Sequence, residues 1–203
     1  MSFIHTAIGH DKIKMLEKGI CVYCSSSDAV GEKYFAAAQA LGKLIGEKRY
    51  RLIYGGATVG LMGAVAQAVL DAGGRVTGII PEKIQFLENG AVDELIVSKD
   101  LRDRKREMEA RADAFIALPG GFGTLEEVLE ILTLKQLNYH DKPIVFIDTE
   151  GFYTDLKGMF QRIYEDRFTK ERYRDFYHFA TVPEEAMSYI ENYTPPEFVK
   201  KWF

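Results

Sequence analysis

The nonapeptide Pro119-Gly120-Gly121-Phe122-Gly123-Thr124-Leu125-Glu126-Glu127 holds the residue types and spacing best suited to chemistry in this sequence. Glycines at 120, 121 and 123 let the backbone approach a bound group closely, and the helix expected to begin here presents free N–H groups and the positive end of its dipole. Such a place suits a phosphate or a carboxylate. The Gly-Lys-Ser/Thr of a P-loop is missing, as is the third glycine of the dinucleotide fingerprint, so a single phosphate on a mononucleotide fits best. A plainer reading stands beside this one: Thr124 and Glu127 have capping-box spacing and would then do no more than start the helix.

A second glycine turn, Gly55-Gly56-Ala57-Thr58-Val59-Gly60-Leu61-Met62-Gly63, follows the apolar run Arg51 to Tyr54 and feeds another helical pattern. Small hydrogen-bonding residues, Ser25-Ser26-Ser27-Asp28, close the first apolar run, Ile20 to Cys24. In open α/β sheets, ligands bind at such carboxyl ends of strands, and two glycine turns on different strands can face one crevice. The basic cluster Arg102, Arg104, Lys105, Arg106 lies one helix before Pro119. For Arg104 and Lys105, a place at the start of that helix favours phosphate or base contact; Arg102 and Arg106 read as a solvated face. Cys21 and Cys24 have C-x-x-C spacing, but residues three apart on a strand face opposite sides of the sheet, so two buried thiols are expected rather than a metal or redox site.

These residues are positioned by alternating strand and helix patterns. Strands are expected at 20–24, 51–54, 75–80, 94–97, 114–118 and 143–147, with a possible edge strand at 180–182. Helices are expected at 32–48, 61–72, 101–111, 125–137, 153–165 and 183–192. The polar excursion 82–93 shows no period, and a loop of that length is often functional. Alternation with right-handed crossovers predicts a Rossmann-like, doubly wound parallel α/β sheet in a single domain, 19–192, preceded by a polar leader, 1–18, and followed by a tail, 193–203.

With 203 residues, 47% of them hydrophobic, the chain can bury one sizeable core. A net charge of -4 argues against nucleic acid or an anionic membrane as partner, so any anion must be held locally. No apolar run approaches the roughly 18 residues of a membrane span, and charges break up the leader, so a cytoplasmic protein is expected.

Read together, R-K-x-x-M at Arg104, Lys105 and Met108 and P-G-G-x-G-T-x-x-E at Pro119 to Glu127 resemble the LONELY GUY family. Its members are cytokinin riboside 5'-monophosphate phosphoribohydrolases, long mislabelled as lysine decarboxylases. The similarity runs from Gly19 to Phe168 and includes Cys24-Ser25-Ser26-Ser27, the Gly55 turn and Gln136 to Pro143. It implies cleavage of the N-glycosidic bond of an N6-modified adenosine 5'-monophosphate, giving free base and ribose 5-phosphate. Glu127 falls on the family's catalytic glutamate and Arg104 on its catalytic arginine, with Lys105 beside it in the nucleotide site. Gly121, Gly123 and Thr124 match the phosphate turn, and Gly120 and Phe122 beside them join the implied substrate-binding residues. Thr133, Glu88, Met108, Ser25, Gly55 and Gly56 complete the implied substrate-binding set, while Ala57 stands where the family usually has a third glycine. A homodimer or higher homo-oligomer is implied, with the site near the subunit interface. No cofactor or metal is expected.

The chemistry is consistent with those positions. Breaking an N-glycosidic bond develops positive charge on the ribose, which a carboxylate beneath the sugar stabilises while it orients a water. The phosphate then serves as a positioning handle. Arg104 could bind phosphate or ribose, or stabilise the departing base. Two alternatives remain open: a nucleosidase for AMP or another purine mononucleotide, and a nucleotide sensor or carrier without turnover. Amino-acid decarboxylation lacks an identifiable pyridoxal-phosphate lysine.

Overall fold

The computed structural model describes residues 17–196. Of the expected leader only Glu17 and Lys18, and of the expected tail only Tyr193 to Pro196, fall within it; the rest of both lies outside the described residues. The elements follow as β1 Gly19–Tyr23, α1 Glu32–Glu47, β2 Arg51–Tyr54, α2 Gly60–Asp71, β3 Arg75–Pro81, β4 Glu94–Ser98 and α3 Leu101–Arg111. After them come β5 Ala114–Ala117, α4 Phe122–Gln136, β6 Ile144–Ile147, α5 Thr154–Glu165, β7 His178–Ala180 and α6 Pro183–Glu191. Expected and observed ends differ by a few residues. The possible edge strand is real but begins two residues earlier, at His178.

The seven strands form one sheet in the order β4-β3-β2-β1-β5-β6-β7, and each pairing is parallel. The chain winds outward from β1 to β4, returns to pair β5 with β1, and winds outward again. That reversal opens a crevice beyond the carboxyl ends of β1 and β5. Both faces of the sheet are covered, so the central strands read as unbroken apolar runs. Ile20 and Val22 pack with Leu41 and Ile45 of α1, Val65 of α2 and Met187 of α6. Cys21 and Tyr23 pack with Met108 of α3, Val128 of α4 and Phe160 of α5. The two thiols behave as expected: both are buried and free, and Cys24 joins the cluster opposite to that of Cys21.

The excursion after β3 is more ordered than the sequence suggested. A 3-10 segment, Glu82–Leu87, folds back on the second glycine turn, with Thr58 N–H donating to Leu87 O (3.1 Å) and Asn89 N–H to Gly56 O (2.9 Å). Past α6, Tyr193 is tied down because Lys135 Nζ, on the buried Lys135 of α4, donates to its hydroxyl (2.7 Å). Among the described residues, no helix is long and apolar enough to cross a membrane.

Candidate active site

Backbone bonds join the loops after β1 and β5 into one floor. Leu118 N–H donates to Tyr23 O (2.9 Å), and Ser25 N–H to Pro119 O (3.3 Å). The serine run then turns on its own hydroxyls, Ser25 Oγ accepting from Ser27 N–H (3.1 Å) and Ser27 Oγ from Ala29 N–H (3.2 Å). This brings Asp28 over the start of α2, where Gly60 N–H donates to its carboxylate (2.8 Å) and Leu61 N–H to Ser25 O (3.0 Å). Gly60 has φ +58°, and a Cβ there would stand 2.6 Å from the Ser26 carbonyl carbon, so this contact needs glycine.

The two glycine turns therefore differ in what they offer. At α2 the first two helical N–H groups are consumed by Asp28 and Ser25. At α4 the N-cap is Gly121, which has no side chain to give, and the N–H groups of Phe122, Gly123 and Thr124 meet no acceptor among the described residues. The first bond of that helix is Leu125 N–H to Gly121 O (3.1 Å). An open helix N-terminus of this kind is a ready anion site. The capping-box reading fails here. Thr124 is the third helical residue rather than the cap, buried against Gly120, and the Glu127 carboxylate turns to Arg104.

Arg104 owes its place to the start of α3, where the Asp100 carboxylate caps Arg102 N–H (2.8 Å) and Asp103 N–H (2.9 Å). Its Nε donates to Ile79 O (2.9 Å) and its Nη1 to Glu127 Oε1 (2.5 Å), with each side chain of the pair 12% exposed. Gly55 makes room for this: a Cβ there would strike the guanidinium and lie 2.7 Å from the Met62 sulfur. The resulting crevice measures about 370 Å³ and is lined by Tyr23 to Ser27, Gly55, Met62, Arg104, Gly121 to Thr124 and Glu127. A larger groove, about 910 Å³, runs between α1 and α2, but its walls are surface side chains such as Gln39, Lys43 and Gln67. Chemistry favours the smaller one, whose size suits a small ligand.

Burial pushes the Glu127 carboxyl above its ordinary value, and the Arg104 guanidinium reverses only part of that shift. A reaction that needs ionised Glu127 is lost as pH falls through this raised pKa. The acid limb of a kcat/KM profile is accordingly expected above 4.5, and Arg104→Met, by removing the lowering charge, moves the limb of the residual activity higher still. A limb at or below 4.5 would contradict a burial-dominated site.

Several expected site residues stand elsewhere. Lys105 pairs with Glu126 and with Glu130 Oε2 (2.5 Å) on the flank of α4, outside the crevice lining. Met108, one turn below Arg104, is fully buried in the core. Thr133 donates its hydroxyl to Leu129 O (2.8 Å) and faces a groove shared with Phe160 and Ile163 of α5. Glu88 is exposed and bridges Ala57, on the back of the second glycine turn. Gly56, at φ +76°, packs on Ile79 and Ile80 and contributes no wall. Gly120 supports Thr124 rather than lining the crevice. Ser25, Gly55, Arg104, Gly121, Phe122, Gly123, Thr124 and Glu127 do come together. Phe122 lines the crevice and is 94% exposed. Met62 and Tyr23 are lining residues that sequence reasoning missed, although Met62 lies inside the second glycine turn that it had singled out.

Fold and site together define a Rossmann-like α/β protein with an open helix N-terminus beside a largely buried Arg104–Glu127 ion pair. A family model described as "Possible lysine decarboxylase" matches residues 62–190. The cytokinin riboside 5'-monophosphate phosphoribohydrolase LOG5 of Arabidopsis thaliana is 40% identical over 185 residues, 90% of this chain and 81% of that protein. The probable cytokinin riboside 5'-monophosphate phosphoribohydrolase LOGL6 of Oryza sativa subsp. japonica is 40% identical over 178 residues, 87% of this chain and 71% of that one. Among solved structures, the molybdenum cofactor binding protein of Rippkaea orientalis superimposes with a TM-score of 0.69 at 25% identity, covering 87% of this chain and 97% of that chain. The chain belongs to the family of the cytokinin riboside 5'-monophosphate phosphoribohydrolases.

Proposed function

We propose that this chain is a hydrolase of N-glycosyl bonds that converts a cytokinin riboside 5'-monophosphate and water into free base and ribose 5-phosphate. The observation that carries this reading is the juxtaposition of Glu127, held by Arg104, with three N–H groups that meet no acceptor among the described residues. The 5'-phosphate seats on the N–H groups of Phe122, Gly123 and Thr124, which sets the ribose over Glu127. As the C1'–N bond breaks, the carboxylate stabilises the positive charge on the sugar and orients the water that attacks C1'. The bonding electrons leave with the base, which gains one proton of that water in the balance, while the water's hydroxyl stays on C1'. Arg104 keeps the carboxylate ionised and aimed, a role supported by its anchoring to Ile79 O.

The catalytic unit is 19–192, with the leader and tail as appendages. It works in the cytoplasm as a homodimer or higher homo-oligomer, and exposed Phe122, Tyr139 and Phe168 offer apolar surface for such contacts.

A carrier that binds without turnover has one observation in its favour, the shared fold of a molybdenum cofactor binding protein. It leaves a buried carboxylate beside the anion site without a task. Chromatography after incubation with AMP, isopentenyl-AMP and the matching nucleosides separates the readings. Hydrolysis yields free base and ribose 5-phosphate, with the isopentenyl compound preferred. Saturable binding with no product supports the carrier, and equal turnover of AMP supports a general purine mononucleotide nucleosidase.

A further inference from the structure

We propose that Tyr153 is a positioning residue for the α4 turn, acting through the Leu118 carbonyl; this rests on the reading that the N–H groups of Phe122, Gly123 and Thr124 hold the phosphate. The turn has little of its own to fix it, since Gly120 and Gly121 bring no side chain to anchor. What fixes it is the Leu118-Pro119 pair just ahead, tied to the loop after β1 by the two backbone bonds already described. The third tie comes from the opposite side. Tyr153, 1% exposed at the start of α5, donates its hydroxyl to Leu118 O (2.7 Å). Among the described residues it is the one side chain that hydrogen-bonds either residue of the pair.

Tyr153 is itself rigidly held. Its N–H donates to Asp148 Oδ1 (2.6 Å), and Asp148 Oδ2 pairs with Lys157 Nζ (2.5 Å), so the end of β6 sets where α5 begins. Its ring meets Phe146 edge-on at 5.4 Å and Phe152 at 4.9 Å. Burial also pushes the phenol upward, which keeps it a donor at ordinary pH. Rigid elements thus place the hydroxyl, and the hydroxyl places the carbonyl that leads into the turn. A shift of the turn by a fraction of a bond length misdirects N–H groups that must converge on one anion.

The experiment is Tyr153→Phe in the full chain. The ring contacts survive, so the variant folds, with a melting temperature lowered by the unpaired Leu118 carbonyl. A purely structural role predicts equal losses for every substrate. Positioning predicts a selective one: kcat/KM for the 5'-monophosphate falls about tenfold, chiefly through KM, inhibition by inorganic phosphate weakens by about the same factor, and the matching nucleoside changes less than about twofold. Equal losses on nucleotide and nucleoside, or no loss on either, overturn the positioning role. If the unsubstituted enzyme treats nucleotide and nucleoside alike, the phosphate reading falls and takes this inference with it. If it prefers the nucleotide and Tyr153→Phe keeps that preference in full, the positioning role alone falls.

Discussion

Glu127→Gln lowers kcat/KM for the 5'-monophosphate by at least about 100-fold, on the order of 3 kcal/mol of transition-state stabilisation. The substitution keeps the shape of the side chain and an oxygen that can accept from Arg104 Nη1, so the crevice should stay intact. It removes the negative charge, and charge is what an oxocarbenium-like sugar requires of the group beneath it. Because the native carboxylate is largely desolvated, its field at the sugar is stronger than that of an exposed acid. Folding should suffer little by comparison, since an amide is less costly to bury than a carboxylate. Steady-state kinetics beside a thermal melt therefore separates the roles. Normal hydrolysis by the variant would reduce Glu127 to a structural partner of Arg104.

Removing the phosphate from the substrate has an effect of similar size. The matching nucleoside is expected to react at least about 100-fold less efficiently, because binding energy at a non-reacting group is used to orient the reacting one. Part of that loss appears in kcat, not in KM alone, since a sugar without its handle samples positions in which C1' is away from Glu127. Ribose 5-phosphate added with the nucleoside should inhibit rather than rescue, because it occupies the sugar site as well. A nucleoside turned over as well as its monophosphate would contradict a phosphate role for α4.

The sheet was legible because both of its faces are covered. Runs such as Ala114 to Leu118 are uniformly apolar, and most end in glycine, serine or proline, so strand positions and parallel winding follow from pattern alone. Strand ends moved by a residue or two, since each end is set by pairing with a neighbouring strand rather than by its own residues. The 3-10 segment at Glu82–Leu87 was not legible, since its order comes from bonds to Gly56 and Thr58 rather than from its own periodicity.

At the site, local sequence picked out both glycine turns and favoured the one at Pro119 for the phosphate, but it could not show that the helix start after the Gly55 turn is already occupied. The difference lies in Asp28, which spends its carboxylate on Gly60, a contact made only when the loops after β1 and β2 meet. Helix geometry explains the misplaced residues on α3. Arg104 and Met108 share a face at i, i+4, so when the arginine reaches the crevice the methionine below it enters the core, and Lys105, rotated by about 100°, meets α4 instead. Tyr153 left no sequence signal, because it acts on the turn through the backbone carbonyl of Leu118, 35 residues away in the chain.

The most direct test is a crystal structure of the Glu127→Gln variant with its 5'-monophosphate bound uncleaved. The expected density puts the phosphate oxygens within hydrogen-bond reach of the N–H groups of Phe122, Gly123 and Thr124, with residue 127 beneath C1' of the ribose. A phosphate held at the start of α2 or on Lys105 instead, or a ribose lying away from position 127, would contradict the proposed chemistry.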